Sequence, residues 1–252
     1  MVQARERAPS REERPTPVSS AGHSPHVSLA LLGGFELRSD EQAVLLPTTG
    51  RRLLVFLAFG HRPLGRAYVS QSLWLDTTER HADGNLRSAL WKLGQLAPSA
   101  IDSSGGLLAL GPRVTVDYRE SVSLARRLVR EPGSLEGREL DEERFTRDLL
   151  PDWYEEWVVV ERERYRQLRL HALEALCVEL VARQRFAQAV QAALVAVAGE
   201  PLRESANLAL IRAYLAEGNV CEAMRHYQSF RDLLWDELRV VPSSGMRQPT
   251  VG

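Results

Sequence analysis

The chain has 252 residues, of which 44% are hydrophobic and 26% are charged, and its formal net charge at pH 7 is −1. This composition is sufficient for two packed domains. It excludes a strongly basic coat for nucleic acid, and no apolar run is long enough to predict a membrane span. Cys177 and Cys221 lie among apolar residues in helical patterns, which favours buried thiols over a disulfide and predicts a cytoplasmic protein.

Two rare residue types indicate the kind of source. Lys92 is the only lysine among 32 Lys and Arg residues, and isoleucine occurs only at Ile101 and Ile211. Lysine and isoleucine codons are rich in A and T. Their scarcity therefore indicates a GC-rich genome, such as that of an actinobacterium.

Residues 1–26 are rich in Arg, Glu, Ser and Pro and carry few large apolar side chains. Such a segment cannot bury enough apolar surface to fold, so we predict a disordered tail. In a secretory signal an apolar run follows the basic residues. No such run follows the four arginines here, so a secretory signal is not predicted. A tail that contacts DNA is the alternative, although three glutamates disfavour it.

Short strands and two helices are predicted next. Alternating apolar residues and turn residues predict strands at residues 27–32, 35–38 and 43–46. Thr48 or Thr49 can cap a helix that begins near Arg51. A second helix is predicted over residues 66–75, and its Trp74 is expected to lie in the core.

Residues 79–96 are the most informative segment and predict a third helix. Its apolar residues recur at helical spacing and form one stripe, which contains Leu86, Ala89, Leu90, Leu93 and Leu96. The opposite side mixes cations, small polar residues and one tryptophan. Cations bind phosphates and guanine edges, and apolar surface contacts thymine methyl groups. The segment therefore predicts a recognition helix for the major groove of double-stranded DNA.

The candidate DNA-binding residues come from this helix and from arginines around it. Arg87 and Lys92 are the main candidates, with solvated helix charges as the alternative. Trp91 either touches a base or sugar or folds back under the following hairpin. Arginines at the two preceding helix starts are candidates for phosphate contact, and Arg113 is a candidate for the minor groove. The full set is Gly84, Asn85, Arg87, Ser88, Trp91, Lys92, Arg51, Arg52, Arg66 and Arg113.

Residues 98–117 predict a β-hairpin. Ile101 and the apolar run at 107–110 flank a Ser/Gly turn at 103–106, and residues 114–116 close the pattern. Three helices followed by a hairpin predict a winged helix-turn-helix domain over residues 27–118. The preceding strands match the variant of this domain that has an extra N-terminal sheet.

The remaining chain predicts a second, all-α domain at residues 119–242, followed by a flexible tail at 243–252. Pro151 suits the first turn of a helix. Trp153 and Trp157 would then lie one turn apart and pack together, with Tyr154, in the core of this domain. A long amphipathic helix is predicted over about residues 157–183.

An internal repeat extends through this second domain. An offset of 34 residues relates Ala172 to Ala206, Leu176 to Leu210 and Ala189 to Ala223. This is the period of tetratricopeptide repeats, in which small residues allow paired helices to approach closely. The predicted fold is therefore mostly α with a small β part, a winged helix followed by a tetratricopeptide-like domain.

Four segments together resemble the SARP-type regulators, the Streptomyces antibiotic regulatory proteins. They are residues 31–37, 73–76 and 85–93, and an activator-domain pattern at 149–157, 161–162 and 200–204. The resemblance covers about residues 27–242. It implies an OmpR-like winged helix joined to a bacterial transcriptional activator domain. It further implies an activator of a secondary-metabolite gene cluster, which binds direct repeats near the promoter and recruits RNA polymerase through a sigma factor or another subunit. A homodimer on DNA is compatible with it.

The chain departs from this family in three places. Gly94 and Gln95 stand where basic residues usually follow the recognition helix, and Gly94 weakens the helix by about 1 kcal/mol. Arg239 stands where a glycine is common. A final helix that usually packs on the repeats is not evident after Pro242.

No catalytic, cofactor or metal site is predicted. Lys92 lies in a helix without a phosphate-binding glycine loop, and the six histidines show no metal-ligand spacing. Asp152, Glu155 and Glu156 are read as a solvated helix start. The alternative function is a helical-repeat scaffold for protein interactions whose winged helix does not bind DNA.

Overall fold

A computed structural model describes residues 26–131, 133 and 136–246. The described residues are mostly helical, and the short strands precede residue 117, so the predicted fold class is confirmed. The tail predicted over residues 1–26 lies outside the described residues, apart from His26. No helix in the described part of the chain is long and apolar enough to span a bilayer.

The described residues form seven short strands and eight α-helices. The strands are β1 (Val27–Ala30), β2 (Glu36–Ser39), β3 (Gln42–Ala43), β4 (Leu64–Gly65), β5 (Ile101–Asp102), β6 (Leu107–Leu110) and β7 (Val114–Val116). The helices are α1 (Thr48–Phe59), α2 (Arg66–Leu73), α3 (Glu79–Leu96), α4 (Asp117–Arg130), α5 (Glu156–Ala182), α6 (Phe186–Gly199), α7 (Glu204–Glu217) and α8 (Val220–Leu238). Two short 3-10 turns, Gly137–Leu140 and Glu142–Phe145, lie between α4 and α5.

The N-terminal sheet has the strand order β3-β2-β1-β7. β1 is antiparallel to β2, with Leu29 opposite Leu37, and parallel to β7, with Leu29 opposite Val116. These three side chains are buried because alternate residues of each strand face the helices. The sheet therefore forms one wall of the winged-helix core.

The wing differs from the predicted hairpin in its third strand. β5 and β6 pair across the turn at 103–106 as predicted, with Ile101 opposite Leu110. The third strand is β4, whose Leu64 lies opposite Leu108, whereas β7 leaves the wing and joins β1. The chain turns at Gly111, where an added Cβ would lie 2.0 Å from the Ser99 carbonyl oxygen. That close approach requires glycine and directs the next strand into the N-terminal sheet.

The three winged-helix helices follow the predicted order. α3 covers the predicted residues 79–96, and Leu86, Ala89 and Leu93 are buried on its inner side. α1 begins at Thr48 and no side chain caps it, so the predicted threonine cap is wrong. α2 ends at Leu73, two residues earlier than predicted, because Trp74 leaves the helical conformation and packs against the core.

The second domain stacks α5, α6, α7 and α8 in sequence order. The residues related by the 34-residue offset are buried between the helices, namely Ala172, Leu176, Ala189, Ala206, Leu210 and Ala223. Gln184 follows the end of α5 and Gly218 follows the end of α7, and both lie in the left-handed region, with φ of 60° and 90°. Their equivalent backbone geometry one repeat apart supports the tetratricopeptide-like arrangement.

The predicted boundary between residues 118 and 119 falls inside α4. Near its start, the Asp117 carboxylate accepts hydrogen bonds from the backbone N–H groups of Leu31 (2.8 Å) and Leu32 (3.1 Å). Further along the helix, Leu124 and Leu128 lie in the core of the second domain. One helix therefore contributes to both cores and connects the two domains directly.

A second connection is the segment that precedes α5. Leu149 and Leu150 are buried in the winged-helix core, and the Leu150 N–H donates to the Leu31 carbonyl at 2.9 Å. Arg162 of α5 donates to the carbonyl oxygens of Leu149 (2.7 Å) and Trp153 (2.6 Å). This guanidinium holds the segment against the sheet.

The aromatic residues of this segment do not pack as predicted. α5 begins at Glu156, so Trp153 lies outside the helix and stacks on Phe35 with 6.0 Å between ring centroids. Trp157 makes an edge contact with Phe56 at 5.4 Å. Tyr154 is 83% exposed. The two tryptophans therefore pack against residues of the winged helix at the domain interface and do not form the core of the second domain.

Two further expectations differ from the structure. Residues 243–246, predicted as the start of a flexible tail, lie against the last repeat. There Met246 is buried beside Ile211 and Phe230, and the Ser243 N–H donates to Glu204 at 3.1 Å. Cys177 is a buried free thiol, as predicted, but Cys221 is exposed because it lies on the solvent side of the first turn of α8.

Candidate nucleic-acid interface

The outer face of α3 is exposed along its length. Arg87, Ser88, Trp91 and Lys92 are exposed, and Trp91 retains 68% of its accessible surface. Gly84 and Asn85 are half-buried at the start of the same face. The buried leucines hold the helix from beneath, so the polar face points away from the protein.

The two main candidate cations have no partner in the described part of the chain. Arg87 and Lys92 make no hydrogen bond or ion pair there, whereas the Ser88 hydroxyl donates to the Gly84 carbonyl at 3.0 Å. Two unpaired cations five residues apart on one helix create a local positive surface. Such a surface can contact phosphates or base edges without first breaking an internal ion pair.

A hydrogen bond from a buried hydroxyl joins α2 to α3. The hydroxyl of Ser70, which is fully buried, donates to the Asp83 carboxylate at 2.7 Å. The same hydroxyl also lies 3.1 Å from the Ala67 carbonyl, and the bond to the charged Asp83 is the one that joins the two helices. This bond therefore stabilises the contact between the two helices of the helix-turn-helix beneath the exposed face.

Arg66 connects this face to the wing. Its guanidinium donates to the Ser103 hydroxyl at 2.6 Å, and its backbone N–H donates to the Gly106 carbonyl at 3.2 Å. Arg66 and Ser103 line an open groove of about 400 Å³ together with Arg87 and Trp91. Trp91 thus borders the groove with its ring exposed and does not fold back under the wing.

The remaining sequence candidates lie elsewhere. Arg52 donates to the Leu73 carbonyl at 2.9 Å and lies 3.2 Å from Glu155, so it connects α1 to the second domain and is not available for phosphate contact. Arg51 donates to the Leu46 carbonyl at 2.9 Å and lies over the Phe35 ring. Both arginines were assigned from their position near a helix start, which does not reveal the neighbours that tertiary packing supplies.

Arg113 is exposed but lies far from the tip of the wing. It occupies the turn between β6 and β7, beyond the end of β6 that is opposite the 103–106 turn. The four residues of β6 span about 13 Å. The prediction that Arg113 reaches the minor groove as part of the hairpin therefore does not fit the observed strand pairing.

Sequence reasoning missed the role of Ser103. This residue brings Arg66 to a wing tip that has no cation of its own, because residues 103–106 are serines and glycines. The pairing of β4 with β6 places the start of α2 beside the tip. A two-residue strand before a helix gives little periodicity, so the sequence pattern did not indicate it.

The second half of the chain has a recognisable family. The family model of the bacterial transcriptional activator domain matches residues 136–249. This match, together with the fold, supports the resemblance to SARP-type transcriptional regulators. The winged helix precedes the activator domain, which confirms the domain order predicted from that resemblance.

A solved structure supports the fold of the chain. It is Mycobacterium tuberculosis EmbR in complex with a low-affinity phosphopeptide, with a TM-score of 0.68 and 18% sequence identity. The match covers 87% of this chain and 62% of the EmbR chain. At this identity the similarity concerns the fold alone, and the chain spans less than two thirds of EmbR. The comparison with curated proteins gives no match.

Proposed function

We propose that this chain is a sequence-specific DNA-binding transcriptional activator of a secondary-metabolite gene cluster, such as one for an antibiotic. In this proposal the winged helix binds direct repeats near the promoter. The activator domain recruits RNA polymerase through a sigma factor or another subunit. Two copies would occupy adjacent repeats on the same DNA.

The observation that carries the proposal is the exposed face of α3 beside the wing. Arg87 and Lys92 are unpaired within the described part of the chain, and Arg66 lines the same groove as Arg87. In the proposed complex α3 enters the major groove, with Arg87 donating to a guanine edge and Lys92 to a phosphate. Arg66 and the wing tip would follow the neighbouring backbone.

The connection between the domains supports a simple route to activation. Because α4 and the segment at 148–153 pack into the winged-helix core, the activator domain keeps one orientation relative to the recognition helix. Repeats spaced by about 10–10.5 bp, or a multiple of this, would place both activator domains on the same side of the duplex. Polymerase could then contact both copies.

The first experiment identifies the operator and tests binding with the full chain. Fragments of the source genome are captured by the purified protein, and the shared repeat is used in fluorescence-anisotropy titrations against a scrambled duplex. We expect selective binding to the repeat. The logarithm of the association constant should fall linearly with the logarithm of the salt concentration. A flat salt response, or equal affinity for both duplexes, would contradict the proposal. Those outcomes would favour the scaffold function, with which the uncharged Gly94 and Gln95 are compatible.

The second experiment tests activation on the repeat identified in this way. Transcription by purified RNA polymerase holoenzyme is measured on the natural template and on templates with 5 or 10 bp inserted between the repeats. We expect the half-turn insertion to abolish activation and the full-turn insertion to restore much of it. Full-length protein is required, because Leu149 and Leu150 complete the winged-helix core.

A further inference from the structure

An open cleft lies where the winged helix meets the activator domain. It has a volume of about 800 Å³ and is bounded by α1, by α2 and the turn after it, and by the start of α5. Small-molecule sites commonly have volumes of about 300–1,000 Å³ and often lie between domains. The cleft is separate from the exposed face of α3 and takes no part in the proposed DNA contact.

Aromatic rings form one wall of the cleft. The ring centroid of Phe56 lies 5.4 Å from that of Trp157 and 6.1 Å from that of Tyr68. The ring centroid of Phe59 lies 5.7 Å from that of Trp157. Tyr68 remains 58% exposed. The winged helix and the activator domain thus both contribute rings, and the face of an aromatic ring attracts a cation.

Carboxylates border the same cleft. Asp76, Glu155, Glu156 and Glu161 line it, with Arg52 and Arg164 as the cations. Each arginine already has a carboxylate partner, since Arg52 lies 3.2 Å from Glu155 and Arg164 lies 3.1 Å from Glu161. Asp76 and Glu156 form no ion pair in the described part of the chain. The lining therefore has an excess of two negative charges.

We propose that this cleft is a binding site for a small amphipathic organic cation, such as an arylalkylamine. Its ring would lie against the aromatic wall, and its ammonium group would lie near Asp76 and Glu156. A neutral or anionic molecule of the same shape lacks the attraction to the two unpaired carboxylates. A bound cation would contact α2 and α5 together and so act at the junction of the two domains.

Binding is tested with three matched probes and the full chain in the absence of DNA. Phenethylamine, 2-phenylethanol and phenylacetate carry a positive, a neutral and a negative group on a similar body. Their dissociation constants are measured from the indole N–H signals of the ¹⁵N-labelled protein. We expect the amine to bind most tightly and to move the signals of Trp74 and Trp157, which line the cleft, but not those of Trp91 or Trp235. Equal binding of all three probes, or shifts only at Trp91, would overturn the proposal.

Variants measure separately how much the carboxylates and the aromatic wall contribute to binding. The double variant Asp76→Asn/Glu156→Gln is expected to weaken phenethylamine binding about three- to fivefold and to leave 2-phenylethanol unchanged. Tyr68→Leu should weaken both probes. Glu237→Gln, at an exposed carboxylate of α8, is the control and should change neither. An unchanged amine affinity in the double variant would refute the cation site, whatever the outcome of the DNA experiments.

Discussion

Tyr118 donates a 2.5 Å hydrogen bond to Glu161, which joins the first turn of α4 to α5. Burial and the neighbouring carboxylate both raise the pKa of the Tyr118 hydroxyl. The phenol therefore stays protonated and continues to donate. The contact lies between the aromatic cluster of the winged helix and the activator domain, since the Tyr118 ring also packs on Phe59 and Tyr165.

Tyr118→Phe removes this bond and keeps the ring. Hydrogen bonds to charged groups contribute about 1.5–3 kcal/mol, so we expect the free energy of unfolding to fall by about that amount. The measurement is urea denaturation followed by circular dichroism. Tyr154→Phe is the control, because Tyr154 is 83% exposed and should be neutral. Equal stability of the two variants would show that the Tyr118–Glu161 bond does not stabilise the fold.

Arg87→Ala tests base contact by α3. If Arg87 donates to a guanine edge, specific affinity should fall by about 1–3 kcal/mol and discrimination at that base pair should relax. Anisotropy titrations on the mapped operator and its single-base variants measure both effects. Arg113→Ala is the matched control, since this exposed arginine lies away from the wing tip. A larger loss for the Arg113 variant would contradict the proposed orientation on DNA.

Gly94→Ala should stabilise the protein. A Cβ at this position meets no atom within 4 Å, and Gly94 is exposed within the last turns of α3. Alanine is favoured over glycine in a helix interior by about 0.5–1 kcal/mol. Thermal unfolding measured by calorimetry should therefore shift to higher temperature. A lower midpoint would mean that this turn of α3 is not helical in solution.

Gly111→Ala should have the opposite effect. Its Cβ would lie 2.0 Å from the Ser99 carbonyl oxygen, so backbone must move at the point where the chain passes from β6 to β7. Forced displacement of this kind costs about 1–3 kcal/mol. The unfolding free energy in urea is the measure, with Gly94→Ala as the comparison. A neutral result would indicate that β7 can adjust without strain.

The two cysteines should differ in reactivity. Burial raises the pKa of the Cys177 thiol to about 11 from its ordinary value of 9.0, whereas Cys221 is exposed. A raised pKa in the folded state gives stability that is complete below about pH 9 and is lost as pH rises toward 11. With a thiol reagent at pH 8 we expect one fast equivalent, at Cys221, and a second only on unfolding. Two fast equivalents would contradict the burial of Cys177.

Local patterns were sufficient for the elements that carry the proposed function. The helix at residues 79–96 was predicted with its bounds, because its buried residues recur every three or four positions. The repeat offset of 34 likewise placed Ala206 and Ala223 at buried helix contacts. The helix depends on residues that are near in sequence. The repeat is recognised because similar residues recur at one constant offset.

Partners across the domain interface could not be predicted in this way. Arg52 and Arg87 are both arginines on helices, yet Arg52 pairs with Glu155 and Arg87 remains free in the described part of the chain. Trp157 has the spacing to pack on Trp153 but contacts Phe56 instead. The choice depends on which surfaces of two separately patterned domains meet.

The amino-acid sequence by itself determined the order of the winged-helix helices, most of the buried side of α3 and the resemblance of the second half to an activator domain. Only the tertiary structure decided which strand pairs with β7 and which residues Arg52, Arg66 and Trp157 contact. The physical reason is range: helical periodicity is set by bonds between residues four apart, whereas these contacts join residues separated by tens of positions. Their energies depend on the packed neighbours and not on the local sequence.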